Sequence, residues 1–168
     1  MSPFTPAALR GLLEAAGILE GGFEGLIRYN EPLAAHTTFK VGGPADCWLQ
    51  PRGNCFPACA AALLREARRR AVPVFILGGG ANLVVADRGI RGLVLDTGAW
   101  TGWEFAPGGD SLLVRSGVPG DSLPDVLAGA GRGGLEFLAG MPGSVGGMVW
   151  MNARAQERSV SDALMETE

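Results

Sequence analysis

A mixed domain, α/β or α+β, is predicted by three features of the sequence. The first is VPVFILGGGANLVVADRG at residues 72–89, where an apolar run rich in β-formers meets three glycines and an asparagine. That is the pattern of a buried strand ending in a backbone-lined turn. The second is the order around it. A helical pattern at residues 54–70 feeds directly into that strand, and Gly92 to Asp96 supplies another apolar strand after the turn. Strand, helix and strand in that succession build a sheet with helices packed on it. The third is the content of 27 glycines against 18% charged residues, which favours turns and close backbone approaches over long helices.

In chain order, Thr5 or Ser2 is placed to cap a first helix whose Leu9, Leu12, Leu13 and Ala16 form an apolar stripe before Gly17. Gly21, Gly22 and Gly25 loosen the chain after it. Residues 30–51 are dense in polar groups: His36, Thr37 and Thr38 precede Phe39 and Val41, and Gly42, Gly43 and Pro44 turn the chain into a short strand at Cys47 to Leu49. Taken alone, this reads as an edge loop capped by threonine hydroxyls. Over residues 54–70, Asn54 is expected to cap and Pro57 falls in the first turn. Ala60, Leu63, Leu64 and Ala67 share a face, and Arg65, Arg68, Arg69 and Arg70 complement the helix dipole. Residues 72–77 are read as a central strand, because they lack polar alternation.

Residues 100–111 read as a turn region whose Trp100 and Trp103 are packing groups, and residues 111–117 alternate as a strand. A helix is expected over residues 120–131, capped by Asp121 or Ser122, with Leu123, Val126, Leu127 and Ala130 as its stripe and Gly133 and Gly134 as its stop. The C-terminal SDALMETE reads as a strand just beginning.

Composition bounds the function. The 168 residues suit one domain, with division into two subdomains left open, and bury enough surface for a real core. A net charge of −3 lacks the basic footprint of nucleic-acid binding or an anionic membrane surface. No run of about 18 apolar residues offers a membrane span, and no secretory leader is evident. Cys47, Cys55 and Cys59 match neither a redox nor a zinc spacing, and with His36 as the one histidine no metal site is expected. Reduced thiols suit a cytoplasmic protein.

Two glycine-rich stretches carry the chemistry. Gly78, Gly79 and Gly80, followed by Ala81 and Asn82, lack Cβ atoms at the glycines and can enter positive φ to bring N–H groups to a bulky anion. The Rossmann GxGxxG fails, because its third glycine would fall at Leu83, and no glycine precedes the Lys-Ser/Thr of a P-loop. Taken alone, GGG is better explained as a tight turn. The second stretch, GLEFLAGMPGSVGGMVWMNA from Gly134, places Gly140, Pro142, Gly143, Ser144, Gly146 and Gly147 within eight residues. It can present successive N–H groups and the Ser144 hydroxyl to one oxyanion, or form a bulge packed under a sheet. Two such loops in one small domain favour a dinucleotide ligand.

With these residues assembled, the chain resembles the N-terminal part of the UDP-N-acetylenolpyruvoylglucosamine reductase (UDP-N-acetylmuramate dehydrogenase) family over about residues 30–162. Four ordered blocks carry the resemblance: HTTFKVGGPAD from His36, VPVFILGGGANLVVADRGIRGLV from Val72, GLEFLAGMPGSVGG from Gly134, and MNA at Met151. The resemblance implies an α+β FAD-binding domain of the vanillyl-alcohol-oxidase (PCMH) type, built of two small α/β subdomains and unlike the Rossmann fold. It places Gly78, Gly79, Gly80, Ala81 and Asn82 against the FAD pyrophosphate. It makes Gly140, Pro142, Gly143, Ser144, Gly146 and Gly147 the second flavin loop, with Asn152 near the isoalloxazine. It further implies FAD as cofactor, NADPH as hydride donor and a UDP-sugar substrate of peptidoglycan synthesis; with no His or Cys in a covalent-flavin motif, the FAD is expected to be noncovalent. On this reading residues 1–29 are an accessory helix and linker, and residues 30–168 are the FAD-binding domain, cut short at its C-terminal end.

The sequence also departs from the family. Its catalytic arginine and serine lie in Tyr-Arg-x-Ser and Asn-Ala-Gly-Ser strings that do not occur in these residues, and with the catalytic glutamate they are expected beyond Glu168. NARAQE at residues 152–157 stands where the family has Asn-Ala-Gly-Ala-Tyr-Gly, so that Arg154 replaces a glycine. The competing readings are an FAD-binding module without turnover and another PCMH-type flavoenzyme such as an oxidase. GMPGSVGG ahead of MNA favours the reductase.

Overall fold

A computed structural model describes residues 4–20 and 23–167 of the chain, so Ser2 as a cap and Gly21 and Gly22 as a loosened link lie outside the described residues. The chain divides into two compact units, one ending at Trp100 and the other beginning at Thr101. Among the described residues no helix is long and apolar enough to cross a membrane.

The first unit contains α1 (Pro6–Ala15), β1 (Gly25–Pro32), β2 (Pro44–Pro51), α2 (Phe56–Arg69), β3 (Val74–Leu77) and β4 (Ile90–Asp96). Its four strands form a sheet in the order β1-β2-β4-β3, with β1 antiparallel to β2 and the other pairings parallel. The continuous apolar runs of β2 and β4 follow from burial on both faces. Cys47 and Leu49 pair with Leu93 and Leu95 on the face covered by Leu9, Leu12 and Leu13 of α1 and by Leu63 and Ala67 of α2. Trp48 and Val94, one residue out of step, point to the opposite face and pack with Leu33, Leu77 and Val85. Strand β1 runs through residues 29 and 30, where the sequence placed a boundary.

Thr5 caps α1 as expected, its Oγ1 accepting from the Ala8 N–H at 3.2 Å. Helix α2 differs from expectation at its start: Cys55, not Asn54, holds the N-cap position and makes no side-chain cap bond. A 3-10 turn at Gly53–Cys55 delivers the chain already helical, which leaves a cap little to do. Leu64 departs from the expected stripe and is exposed. Near the C-terminus, Arg69 and Arg70 both grip Glu66. Their hydrogen bonds, that of Arg69 first, hold the Glu66 carboxyl down at about 2. Burial pushes the Cys47 thiol up to about 12, which makes it an inert core group.

The main correction concerns β3. Expected as a central strand, it is the edge of the sheet, and Phe75 and Ile76 are 36% and 51% exposed. Only Leu77 is buried within it. Apolar content alone does not separate a covered strand from an edge strand.

The second unit contains β5 (Trp103–Phe105), β6 (Leu112–Val114), α3 (Leu123–Gly129), α4 (Val145–Met151), β7 (Arg154–Ala155) and β8 (Arg158–Ser159). Its core gathers Val118, Leu123, Phe137, Leu138 and Met148. The strand expected over residues 111–117 is confined to β6, and its partner β5 lies inside the stretch read as a turn. Trp100, the last residue of the first unit, packs as expected within that unit, stacked on Phe56 at 4.5 Å. Ser122 precedes α3 without capping it, because its hydroxyl donates back to the Pro119 carbonyl at 2.6 Å. A 3-10 turn at Gly120–Ser122 again leads the chain in. At the C-terminal end a 3-10 turn at Val160–Asp162 is followed by irregular chain, and no strand forms among the described residues there.

The β7–β8 hairpin closes over Gln156 and Glu157, both left-handed at φ 49° and 65°. Turns with two positive φ values favour Asn-Gly, since a Cβ in that region costs about 1–2 kcal/mol per residue. The double change Gln156→Asn, Glu157→Gly is therefore expected to stabilise the chain by about 1 kcal/mol. A higher midpoint in thermal unfolding checks this, and an unchanged or lower midpoint would show that the two side chains contribute more than the turn costs.

Candidate functional site

Strands β2, β4 and β3 run parallel, so their C-terminal ends open on one side of the sheet, where open sheets of this kind bind ligands. A cavity of ≈290 Å³ lies there in the first unit. Gln50, near the end of β2, Gly78 and Gly79 after β3, and Asp96 and Gly98 at the end of β4 form one side of it. The loop after β1 closes the other side with His36, Thr37, Thr38 and Lys40. A space of this size takes a diphosphate and part of what it carries rather than a whole dinucleotide.

The glycine turn is held in place by its own chain. Of Gly78, Gly79 and Gly80, only Gly80 is left-handed, at φ +64°. A Cβ on Gly80 would stand 2.0 Å from the His36 carbonyl oxygen, and the Gly80 carbonyl accepts from the Thr38 N–H at 3.1 Å. Gly80 is thus required by contact with the His36–Thr38 loop. Gly78 and Gly79 instead reach the cavity with bare backbone. Ala81 is half-buried and Asn82 exposed just beyond it.

A polar network stiffens the wall. The Trp48 indole N–H donates to Asp96 Oδ2 at 3.1 Å, and the Gly98 N–H donates to Asp96 Oδ1 at 2.7 Å. The His36 ring lies 4.7 Å from the Trp48 ring, with Nε2 2.9 Å from Glu31 Oε1 and Nδ1 3.8 Å from Asp96 Oδ2. Arg28 reaches the same Glu31 oxygen at 3.0 Å. Thr37 is buried, and its hydroxyl donates to the Val41 carbonyl at 2.9 Å. The sequence alone reads His36 and the threonines as an edge loop and does not single out Gln50 or Asp96 as site residues. The apolar sequence on either side of Trp48 and Asp96 hides a bond that spans the sheet between β2 and β4.

The second glycine stretch serves differently from its sequence reading. Ser144 is the N-cap of α4, and its hydroxyl accepts from the Gly147 N–H at 3.4 Å. The Val145 and Gly146 N–H groups donate to the Val118 and Ser116 carbonyls, each at 2.8 Å. The first-turn donors that an oxyanion would need are therefore spent inside the unit. A Cβ on Gly146 would lie 2.7 Å from the Ser116 Cβ, whereas one on Gly147 meets nothing closer than Ser144 Oγ at 3.5 Å. Left-handed backbone at Gly140 and Gly143, φ 72° and 121°, shapes the loop around Pro142 ahead of the helix. Asn152 ends α4 in the left-handed region, and its side-chain oxygen accepts from the Ser161 N–H at 2.9 Å. Arg154 lies two residues on, in the β7–β8 hairpin.

Three comparisons bear on this geometry. The family model described as FAD binding domain matches residues 57–167, a span that contains both glycine stretches. UDP-N-acetylenolpyruvoylglucosamine reductase from Moorella thermoacetica is 40% identical over 158 residues, which is 94% of this chain and 50% of that protein. The same-named protein of Anaeromyxobacter is 41% identical over 163 residues, 96% of this chain and 50% of the relative. The chain thus spans about half the length of the curated relatives it matches. The crystal structure of a Thermus caldophilus UDP-N-acetylenolpyruvylglucosamine reductase superposes with a TM-score of 0.57 at 29% identity, covering 84% of this chain and 47% of that one. A mixed α and β fold of the PCMH type is the architecture these matches share with the two units.

The glycines separate in their expected responses. Gly80→Val is expected to cost roughly 2–4 kcal/mol through the His36 carbonyl and the backbone strain together. Gly147→Ala is expected to be neutral or to stabilise by up to ~1 kcal/mol as a helical replacement. Urea unfolding of the two variants checks this, and equal midpoints would refute the assignment of Gly80 to a packed turn.

Proposed function

The chain belongs to the FAD binding domain family, and on that premise we propose that it is the FAD-holding part of a flavoprotein reductase that converts UDP-N-acetylenolpyruvoylglucosamine to UDP-N-acetylmuramate. One observation carries the reading: a glycine turn opens bare backbone onto a cavity at the ends of three parallel strands, within a span shared with reductases of that name. The lining fits a phosphate-bearing ligand, since Gly78 and Gly79 leave room for close approach and the threonine loop opposite them adds polar groups.

In this reading the backbone from Gly78 to Asn82 holds the FAD pyrophosphate, with Gly80 locking the turn. Gly140, Pro142 and Gly143 meet the flavin through their loop, and Ser144 caps the helix behind it. Gly146, Gly147 and Asn152 keep that loop in shape by packing α4 on Ser116 and by tying its end to Ser161. Bound FAD supplies two-electron hydride transfer, and the protein supplies orientation and exclusion of water. NADPH is the proposed hydride donor, and the flavin is held without a covalent bond. The free thiols of Cys47, Cys55 and Cys59 fit a cytoplasmic setting.

A module that binds FAD without turnover is favoured for these 168 residues by themselves, because the Tyr-Arg-x-Ser and Asn-Ala-Gly-Ser strings are absent from them. After incubation with FAD and desalting, the purified chain is expected to keep the visible absorption of bound flavin near one equivalent. Gly79→Val and Gly143→Val should lose it while retaining their circular dichroism. A folded wild-type chain that keeps no flavin would overturn the reading. NADPH oxidation driven by the enolpyruvyl sugar is expected to be undetectable with this chain alone. Measurable turnover would place catalytic groups within it.

A further inference from the structure

Lys40 is the only lysine in the chain, and His36 the only histidine. Both line the cavity that also exposes Gly78 and Gly79. None of the ion pairs among the described residues involves Lys40. The nearby Asp96 carboxylate accepts instead from the Trp48 and Gly98 N–H groups.

The backbone also makes an unusual concession to this side chain. Lys40 is left-handed at φ 56°, a conformation that glycine or asparagine adopts at lower cost. The turn that imposes it is fixed from within. The Lys40 N–H donates to the Thr37 carbonyl at 3.1 Å, and the buried Thr37 hydroxyl bridges to Val41. A lysine kept where glycine would sit more easily, unpaired and facing a cavity, points to a use for its charge. Lys40 lies outside the span matched by the family model, so nothing in that match assigns it a role.

We propose that Lys40 is the cation that binds the diphosphate of FAD in this cavity, its ammonium on phosphate oxygens whose neighbours meet the Gly78 and Gly79 backbone. This rests on the reading that the cavity holds FAD. The chain carries a net charge of −3 and places the Asp96 carboxylate in the cavity wall. A diphosphate brought there meets like charge, and one mobile ammonium with three donors offsets it without demanding fixed geometry. NADPH and a UDP-sugar carry diphosphates as well, so the experiment must separate the three.

The single lysine makes the test direct. Reductive methylation of the full chain with 13C-formaldehyde labels Lys40 and the N-terminal amine and keeps the charge. The Lys40 methyl signal is then followed by NMR against FAD, riboflavin, NADPH and UDP-N-acetylglucosamine. FAD is expected to move it and riboflavin, which lacks phosphate, to leave it in place. Lys40→Met should weaken FAD binding roughly 10-fold with a shallower salt dependence, and Lys40→Arg should recover most of the loss. A chain that retains FAD while the Lys40 signal stays fixed, or one in which only NADPH or the UDP-sugar moves it, would overturn the assignment and leave the flavin reading intact. A chain that retains no FAD before methylation would remove that reading and this proposal together. If Lys40→Met misfolds, the wild-type titration still decides.

Discussion

The first unit depends on one close approach: the His36 carbonyl oxygen lies 2.0 Å from where a Gly80 Cβ would stand, and the Gly80 carbonyl takes the Thr38 N–H. That contact ties the loop after β1 to the end of β3, on the opposite edge of the sheet. Together with the His36 contacts to Trp48 and Asp96, it sets the loop against the parallel strand ends as one wall of the cavity. The steric demand on Gly80 therefore comes from the protein. Gly78 and Gly79, without side chains, line the cavity beside it.

A second constraint works through the sheet. Trp48 and Asp96 sit on adjacent strands of the core, and their hydrogen bond fixes the carboxylate that stands in the cavity wall. Buried polar groups of this kind are costly unless paired, and here each Asp96 oxygen has a donor. His36 extends the chain to Glu31 and Arg28, so that β1, β2 and β4 share one network. The cavity is polar because the strands beneath it are joined by polar bonds.

The second unit uses its glycines to a different end. The N-terminus of α4 is closed by Ser144 and by the carbonyls of Ser116 and Val118, with Gly146 admitting the helix at close range. The loop ahead of it, from Gly140 to Gly143, stays outside that closure. Similar glycine-rich strings thus divide into residues that make the fold and residues that shape a surface.

The sequence by itself determined the existence of most elements, the mixed fold and the glycine turn after β3, because hydrophobic period, helix stops and left-handed turns act over a few residues. It also carried the family, through ordered motif blocks long enough to be distinctive. What it could not decide depends on contacts between distant residues. Val74–Leu77 reads as a covered strand, yet its place at the edge depends on which strand pairs with β4. Asn54 and Ser122 look like caps, but 3-10 turns ahead of the helices had already bent the chain. Gly80 and Gly79 are neighbours with the same side chain, and only the path of the loop from His36 to Thr38 gives one to packing and leaves the other to the cavity. Nothing in the sequence around Lys40 marks it out, and only the tertiary structure brings its loop to the strand ends.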